Sequence, residues 1–364
     1  MFINILITIF SIVSLLVIHE FGHFIIAKKF GVKVEEFGVG YPPRLYGKKI
    51  GETLYSINLL PLGAFVKIPG ADGDDSHLED YRRYSAKPIW QRTLIILGGV
   101  LSFWLVAIIL LSVIFTIGTP QAISDNEPGP LVDAKVQIID IAAGSPAEIA
   151  GLRAGDTIKE FKIQNLGFEI NLVKEVQELT EKYKGEEVVL TIQRGKEVFT
   201  TSLIPRLVPP EGEGAMGVAL VRTAEKKFSW WYSPIKGIEA TANLTGAIIT
   251  SWGQILGNLI RAKELPSGVQ LVGPVGLGVL INQAAQLGLN YFLQFIAMIS
   301  IYLAIFNLLP IPALDGGKLL FLGIEKIKGK AIPRKLEENV TAVFFSLLII
   351  LMIFVTIKDI MRLF

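Results

Sequence analysis

Two histidines and a glutamate near the start of the chain have the types and spacing of a metal site. His19 and His23 are four residues apart, and Glu20 follows the first of them. On a helix, side chains at i and i+4 lie on the same face, so both imidazoles can bind one ion. A glutamate beside such an ion can take a proton from metal-bound water. The pattern therefore predicts a zinc centre with Glu20 as general base.

The setting of these residues supports a functional reading. They lie inside an apolar run, residues 2–27, that is long enough to cross a bilayer. Ionisable groups inside a membrane span are costly and mark functional sites. The setting therefore favours a metal site over a chance match of structural histidines.

The third metal ligand has two candidates. Catalytic zinc usually has three protein ligands and one open position. The chain has no cysteine and one further histidine, His77, so the third ligand is His77 or a carboxylate. Asp315 offers a carboxylate after another apolar segment, within the run N-L-L-P-I-P-A-L-D-G-G of residues 307–317. The acidic tract at residues 72–77 is predicted to be a solvated turn.

The two motifs together resemble the site-2 protease family of intramembrane metalloproteases. That family has H-E-x-x-H in its first core helix and N-x-x-P-x-P-x-L-D-G in a later one, and both patterns match without a gap. The resemblance implies an intramembrane zinc endopeptidase that cleaves single-span membrane proteins within or near the transmembrane segment, as in regulated intramembrane proteolysis of anti-sigma factors or signal-peptide remnants. It implies His19, His23 and Asp315 as zinc ligands and Glu20 as base. Asn307 would contact substrate or pack between helices.

Composition predicts a polytopic α-helical membrane protein that also carries a soluble module. The chain has 364 residues, of which 51% are hydrophobic and 19% charged. Four spans are predicted, at about residues 3–27, 93–118, 291–309 and 340–357. The net charge of +2 argues against a nucleic-acid partner, and the absence of cysteine excludes disulfides and thiolate catalysis.

Basic residues predict the orientation of these spans. Eleven lysines and arginines lie between the first two spans and none precedes the first, which places that loop in the cytoplasm. The expected location is the plasma membrane of a prokaryote, with the catalytic site near the cytoplasmic side. Asp315 can meet the histidines only if its span also runs inward, which allows one intervening span but not two. Residues 235–262 are therefore predicted to form an interfacial helix on the outer surface.

The sequence pattern after the first span predicts a membrane-associated β-hairpin. Residues 53–57 and 64–68 have the pattern of short strands around a Pro/Gly turn. Family resemblance implies that this element dips into the membrane beside the active site. An edge in residues 53–68, with Tyr55 and Ile57 as candidate substrate contacts, could receive an unwound substrate by strand addition. The preceding Gly40-Tyr41-Pro42-Pro43 differs from the family's G-F-G-P.

Residues 128–224 resemble an inserted, extracytoplasmic PDZ domain. The run at residues 144–158 matches the G-S-P-A-x-x-A-G-L-x-x-G-D-x-I pattern of bacterial PDZ domains. Gly217 lies where a peptide end would be received. The domain would bind peptide C-termini or filter substrates by size, or serve as a spacer. The predicted organisation is membrane core at 1–127, PDZ domain at 128–224, interfacial helix and loop at 225–290, and membrane core at 291–364.

Two other functions compete with the protease. One is a catalytically inactive membrane scaffold that binds through its PDZ domain; the presence of every ligand candidate and of Glu20 speaks against it. The other is a zinc peptidase of the prenyl-protein type, which also has H-E-x-x-H in a membrane helix. That type is expected to use a glutamate as third ligand and to lack both the PDZ domain and the L-D-G motif.

Overall fold

The chain divides into two compact units in a computed structural model. The helical unit comprises Met1–Ser112, Pro234–Ala285 and Tyr291–Phe364, and the sheet unit comprises Val113–Ser233 and Gln286–Asn290. The structure describes residues 2–71, 81–126, 132–164, 166–195, 197–210, 212–261 and 271–363. The alternative ligand His77 and the acidic tract at 72–77 lie outside the described residues.

The described residues form nine helices and nine strands. In chain order they are α1 (Phe2–Lys29), β1 (Glu36–Ile50), β2 (Thr53–Lys67), α2 (Ile89–Ile117), β3 (Thr119–Ile123), β4 (Val132–Ile141), α3 (Pro146–Ile149), β5 (Thr157–Ile163), β6 (Leu166–Glu169), α4 (Val173–Lys182), β7 (Val188–Arg194), β8 (Glu197–Leu203), β9 (Val218–Lys226), α5 (Ser233–Ile260), α6 (Pro274–Leu287), α7 (Leu289–Leu308), α8 (Asp315–Lys328) and α9 (Arg334–Leu363).

Four of the described helices are long and apolar enough to cross a bilayer. The qualifying segments are Leu6–Lys29, Ile89–Ile117, Leu289–Leu308 and Arg334–Arg362, in α1, α2, α7 and α9. They coincide with the four segments in which the sequence predicts spans. Many of their large apolar side chains are exposed on the protein surface, as a lipid environment requires. The chain is a multi-pass membrane protein.

Glycines bring α1 and α2 into close contact in the helical unit. A β-carbon at Gly22 would lie 2.2 Å from the carbonyl oxygen of Gly98, which leaves no room for any other residue there. Small residues at such crossings let helix backbones approach in membranes, where packing rather than the hydrophobic effect holds helices together. Around the crossing, buried side chains form one cluster: Leu15, Val100, Phe103, Ile281, Ile296, Ile299 and Ala304.

Helix α5 packs lengthwise against α2. A β-carbon at Gly237 would lie 2.2 Å from Ser112 Oγ, and the indole of Trp104 donates to Thr245 Oγ1 at 3.2 Å. The two contacts are eight residues apart in both helices, in opposite directions, and so span about 12 Å of antiparallel packing. Helix α5 is not among the four candidate spans. Its placement on the outer surface stays a prediction.

The hairpin after α1 is folded back on itself. The first residues of β1 pair with both ends of β2, because Glu36 pairs with Leu54 and with Lys67. The second part of β1 pairs with the first part of β2, as Ile50 does with Thr53. The result is a small sheet in which two of the four half-strands are internal and two lie at edges.

The sheet unit is built on a seven-stranded sheet with the order β3-β9-β4-β5-β7-β8, and β6 pairs with β5. Its core is a cluster of buried apolar side chains that includes Val136, Phe161, Val176 and Leu190. Helix α3 begins at an N-cap, Ser145, whose hydroxyl accepts from the Glu148 N–H at 3.2 Å. That this unit is a PDZ domain stays a prediction.

Candidate metal centre

The structure brings three predicted ligands together. The Nε2 atoms of His19 and His23 lie 3.2 Å apart. Asp315 Oδ2 lies 3.3 Å from His19 Nε2 and 3.4 Å from His23 Nε2. The three side chains are largely buried and come from helices α1 and α8, nearly three hundred residues apart in sequence. The three atoms form a nearly equilateral triangle.

A backbone hydrogen bond orients His23. Its Nδ1 lies 2.8 Å from the carbonyl oxygen of Ile95 on α2. A carbonyl oxygen can only accept, so Nδ1 carries the proton and Nε2 presents a lone pair to the triangle. Metal-binding histidines typically donate their other ring N–H in this way, which fixes the tautomer and the ring orientation.

Packing holds His19 in place. Its ring stacks on Phe103 with ring centroids 4.7 Å apart and planes 14° from parallel. The same helix, α2, contributes Gly99, where a β-carbon would lie 2.2 Å from His23 Nε2 and 2.8 Å from His19 Cε1. The glycine therefore creates the space in which both imidazoles point toward Asp315.

An irregular turn delivers Asp315. Pro310 and Pro312 lack the N–H that would continue α7, so the helix ends at Leu308. Ala313 then adopts a φ of 105°, and α8 begins at Asp315. A β-carbon at Gly316 would lie 2.0 Å from the Leu309 carbonyl oxygen, and one at Gly317 would lie 2.4 Å from that of Ile311. The glycines after Asp315 thus allow α8 to start against the turn that precedes it.

These atoms fit a bound zinc ion. Two ligands at the usual bond lengths of about 2.0–2.1 Å in a tetrahedral site are about 3.3 Å apart, as in this triangle. Among the described residues, the buried polar atoms without a hydrogen-bond partner include His19 Nδ1 and Asp315 Oδ2. A carboxylate oxygen facing the lone pair of His23 Nε2 would be repelled without a cation between them. Two imidazoles and a carboxylate are also a donor set that zinc prefers.

Glu20 lies beside this triangle and outside it. It is half-buried on α1, between the two histidines in sequence. The ionisable groups that act electrostatically on its carboxylate are the two histidines, Asp315 and Lys318. The Glu20 carboxylate therefore lies within electrostatic range of the three ligand side chains.

Asn307 has a hydrogen bond within its own helix. Its side-chain Nδ2 donates to the Leu303 carbonyl oxygen at 2.9 Å, one turn earlier in α7. A contact with substrate would therefore use the amide oxygen, which accepts a hydrogen bond from a peptide N–H. The substrate role of Asn307 stays a prediction.

Tyr55 and Ile57, the candidate substrate contacts, do not lie at an edge of the small sheet. Tyr55 pairs with Phe37 on one side and Lys48 on the other, and Ile57 pairs with both Val39 and Tyr46. Both residues belong to an internal half-strand because β1 folds around the start of β2, which the strand pattern alone does not reveal. The later part of β2 lies outermost instead: Ala64 pairs with Val39, and Val66 with Phe37.

Gly217 does not present a free backbone donor. Its N–H donates to the Gly214 carbonyl oxygen at 2.9 Å, and its φ is 76°. A β-carbon there would lie 2.2 Å from the Ser145 β-carbon. Gly217 therefore shapes the loop before β9, and the expectation that it receives a peptide end directly does not agree with its hydrogen bonding.

Sequence reasoning missed the part of α2 that surrounds the ligands. Of the two adjacent glycines there, Gly98 serves helix packing, since it contacts Gly22. Gly99, in contrast, lies against both imidazoles, and Ile95 and Phe103 orient them. The four-residue spacing of residues 95, 99 and 103 was the available signal, since it puts them on one helix face.

Known proteins match this sequence along almost its whole length. Residues 7–351 match the model of a protein family described as peptidase family M50. A relative from Clostridium perfringens is 33% identical over 352 residues, 95% of both chains. The regulator of sigma-W protease RasP of Bacillus subtilis is 28% identical over 453 aligned positions that cover 100% of both chains. The zinc metalloprotease RasP of Geobacillus kaustophilus is 28% identical over 440 positions, 98% of this chain and 99% of the relative.

Proposed function

Because this chain belongs to peptidase family M50 and is a zinc metalloprotease of the site-2 type, we propose that His19, His23 and Asp315 hold its catalytic zinc and that it cleaves single-span membrane proteins within or near their transmembrane segment. The observation that carries the proposal is the triangle of ligand atoms, 3.2–3.4 Å on each side, with Glu20 beside it. Zinc bound there supplies a Lewis acid that activates water and polarises a substrate carbonyl.

The remaining catalytic roles belong to individual groups of the site. Glu20 takes a proton from the attacking water and delivers it to the leaving amine when the peptide bond breaks. The Ile95 carbonyl oxygen keeps the His23 proton on Nδ1, so that Nε2 remains a ligand. Asp315 supplies the negative charge of the ligand set. The amide oxygen of Asn307 accepts a hydrogen bond from the substrate backbone.

The outer part of β2 is the place where a substrate strand pairs. Peptide bonds of a transmembrane helix are closed by the helix's own hydrogen bonds, so cleavage requires local unwinding, and an unwound segment needs new backbone partners. A β-carbon at Gly63 would lie 3.6 Å from Leu16 Cδ1, and Leu16 is one turn before Glu20 on α1. A strand added beside residues 63–67 thus runs close to the general base.

The sheet unit acts as a size filter that admits trimmed substrates. In the PDZ reading, a peptide would add to the free edge of β9. Strand β3 of the same chain already pairs with the second half of that edge, from Ile123 with Arg222 to Thr119 with Lys226. The carboxylate of Asp125 then accepts hydrogen bonds from the first N–H groups of α4. Only residues 218–221 of this edge remain for a peptide to pair with, and this short free edge favours a filter over recruitment of substrate by peptide binding.

Removal of the proton acceptor tests the proposed reaction. Glu20→Gln should abolish cleavage of a model single-span substrate while one zinc per chain remains bound, because glutamine cannot accept the proton of water. Asp315→Ala and His23→Ala should instead lose the metal. Cleavage by E20Q at more than a few per cent of the wild-type rate would contradict the role of Glu20. Full zinc retention in D315A would overturn the ligand assignment.

The sheet unit lies outside the cytoplasm, and the segment between α1 and α2 lies inside. The eleven basic residues between these two spans support this orientation. The chain has no cysteine, so single cysteines report their location without background. Ser202 and Ser85 are both exposed in the structure. S202C should react with a membrane-impermeant thiol reagent in intact cells and S85C only after lysis; the reverse pattern would invert the topology.

A further inference from the structure

A partly buried ion pair joins α2 to α8. Arg92 Nη1 donates to Glu325 Oε2 at 3.0 Å, and Arg92 Nη2 donates to Glu325 Oε1 at 2.5 Å. The side chains retain only 12% and 18% of their exposure. Two parallel N–H···O bonds between planar groups constrain both the distance and the relative direction of the elements that carry them.

The arginine end of this pair belongs to the helix that orients the histidines. Arg92 lies one turn before Ile95, whose carbonyl oxygen accepts the His23 proton, and two turns before Gly99, which lies against both imidazoles. A movement of this part of α2 would therefore move the acceptor of His23 as well.

The glutamate end belongs to the helix that begins with the third ligand. Glu325 follows Asp315 by ten residues on α8, about 15 Å along the helix axis. The turn before α8 contains two prolines and a residue with a φ of 105°, and it has no regular ladder of hydrogen bonds. Turn hydrogen bonds such as Leu314 N–H to the Ile311 carbonyl oxygen fix only the start of α8, so contacts made further along the helix also set its direction.

We propose that Arg92 and Glu325 are positioning residues that hold Asp315 at ligand distance from the two histidines. The pair closes a ring of contacts from His23 through α2 to α8 and back to Asp315. An arginine is required because its rigid fork fixes direction, whereas a lysine supplies only a point charge. The inference rests on the zinc ligation proposed above.

Zinc affinity of the folded protein tests the pair directly. In detergent-solubilised full-length protein, R92Q and E325Q should bind zinc about 10–100-fold more weakly in chelator competition, as for other residues that orient metal ligands. R92K keeps the charge, and its zinc affinity should lie between those of R92Q and E325Q and that of the wild type. The Co²⁺-substituted variants should show a shifted absorption spectrum, because the ligand geometry changes. If the pair only stabilised the fold, its loss would lower the unfolding temperature and leave the zinc affinity and the Co²⁺ spectrum unchanged.

Two further variants make the test specific. The charge-reversed double variant R92E/E325R should recover a large part of the affinity lost in the single variants, since it restores the bidentate pair. The control is R206Q, which breaks an equally short pair, Arg206 Nη2 to Glu213 Oε2 at 2.5 Å, in the sheet unit. It should bind zinc like the wild type.

The outcomes separate this inference from the ligand assignment. If D315A loses zinc while R92K, R92Q and E325Q keep wild-type affinity and spectra, the positioning role is wrong and the ligand set stands. If D315A keeps zinc, the ligand set itself is wrong. If R92Q and E325Q fail to fold, R92K and the charge-reversed double variant decide, and wild-type zinc affinity in R92K with no recovery in the double variant would refute the inference.

Discussion

At the scale of single residues, the metal centre depends as much on a missing side chain as on the ligands. His19, His23 and Asp315 are the proposed donors, but their convergence requires that α2 come close to both imidazoles. Gly99 permits this, because even one carbon at that position would overlap His23 Nε2. The tautomer of His23 likewise depends on a backbone group, the carbonyl of Ile95.

The prediction at this scale is that Gly99→Ala loses zinc and activity. A β-carbon 2.2 Å from His23 Nε2 and 2.8 Å from His19 Cε1 must displace either α2 or the rings, and both displacements break the ligand triangle. Zinc content and cleavage of a model substrate should fall at least tenfold, which corresponds to about 1.4 kcal/mol.

Gly246→Ala is the matched control for this variant. Gly246 is also a helical glycine, on α5, but no atom lies within 4 Å of the position of its β-carbon. Alanine there should leave zinc and cleavage unchanged and raise stability slightly, by about 0.5–1 kcal/mol, because it is the better helix former. Equal behaviour of G99A and G246A would show that the space at Gly99 is not needed by the ligands.

At the scale of elements, the small sheet of β1 and β2 is fastened to the end of α1 through its turn. Glu52 lies in that turn and accepts hydrogen bonds from Lys28 Nζ and Arg82 Nη1, both at 2.9 Å. The hydrogen bond from Lys28, with help from Arg82, holds the pKa of Glu52 below its usual value, although its slight burial opposes this. These contacts keep the sheet at the C-terminal end of the helix that carries Glu20.

The prediction at this scale is a stability difference between the wild type and E52Q that depends on pH. The folded-state pKa of Glu52 is lowered, so its ion pairs stabilise the protein above the unfolded pKa of about 4.3 and are lost as the pH falls through the lower folded value. E52Q should unfold more easily at pH 6–8, by less than about 1 kcal/mol because the pairs are exposed. The two proteins should converge toward acid pH in thermal unfolding experiments. A difference that persisted unchanged at pH 3 would point to packing.

At the scale of the whole molecule, a sheet unit is inserted into a membrane enzyme, and the chain segments that enter and leave the unit lie side by side. The Phe228 N–H donates to the Phe115 carbonyl oxygen at 2.9 Å, so the chain leaves the unit next to the point where it enters. Their rings are in edge contact, with centroids 5.7 Å apart. The unit can therefore be removed with little disturbance of the helices on either side.

The prediction at this scale is that deletion of residues 119–226, with a short flexible join between Gly118 and Lys227, preserves zinc binding and the cleavage of a trimmed substrate. The deleted enzyme should in addition cleave the untrimmed precursor if the sheet unit is the proposed size filter. Stub and precursor are assayed with intact and deleted enzyme. Loss of stub cleavage with zinc still bound would show that the unit recruits substrate. If intact and deleted enzyme cleave both substrates alike, the unit is neither a filter nor a recruiter.

The sequence by itself determined the chemistry and the membrane segments, because both are written in local patterns. The four-residue spacing of His19 and His23 and the break at Pro310 and Pro312 are visible without a structure, as are apolar runs of span length. Only the tertiary structure decided which residues surround these groups. Gly99, Ile95 and the Arg92–Glu325 pair contact partners far away in sequence, and the spacing of residues 95 and 99 shows a shared helix face but not what that face meets. Strand pairing is also non-local, which is why the internal position of Tyr55 and the pairing of β3 with half of the β9 edge are visible only in the folded chain.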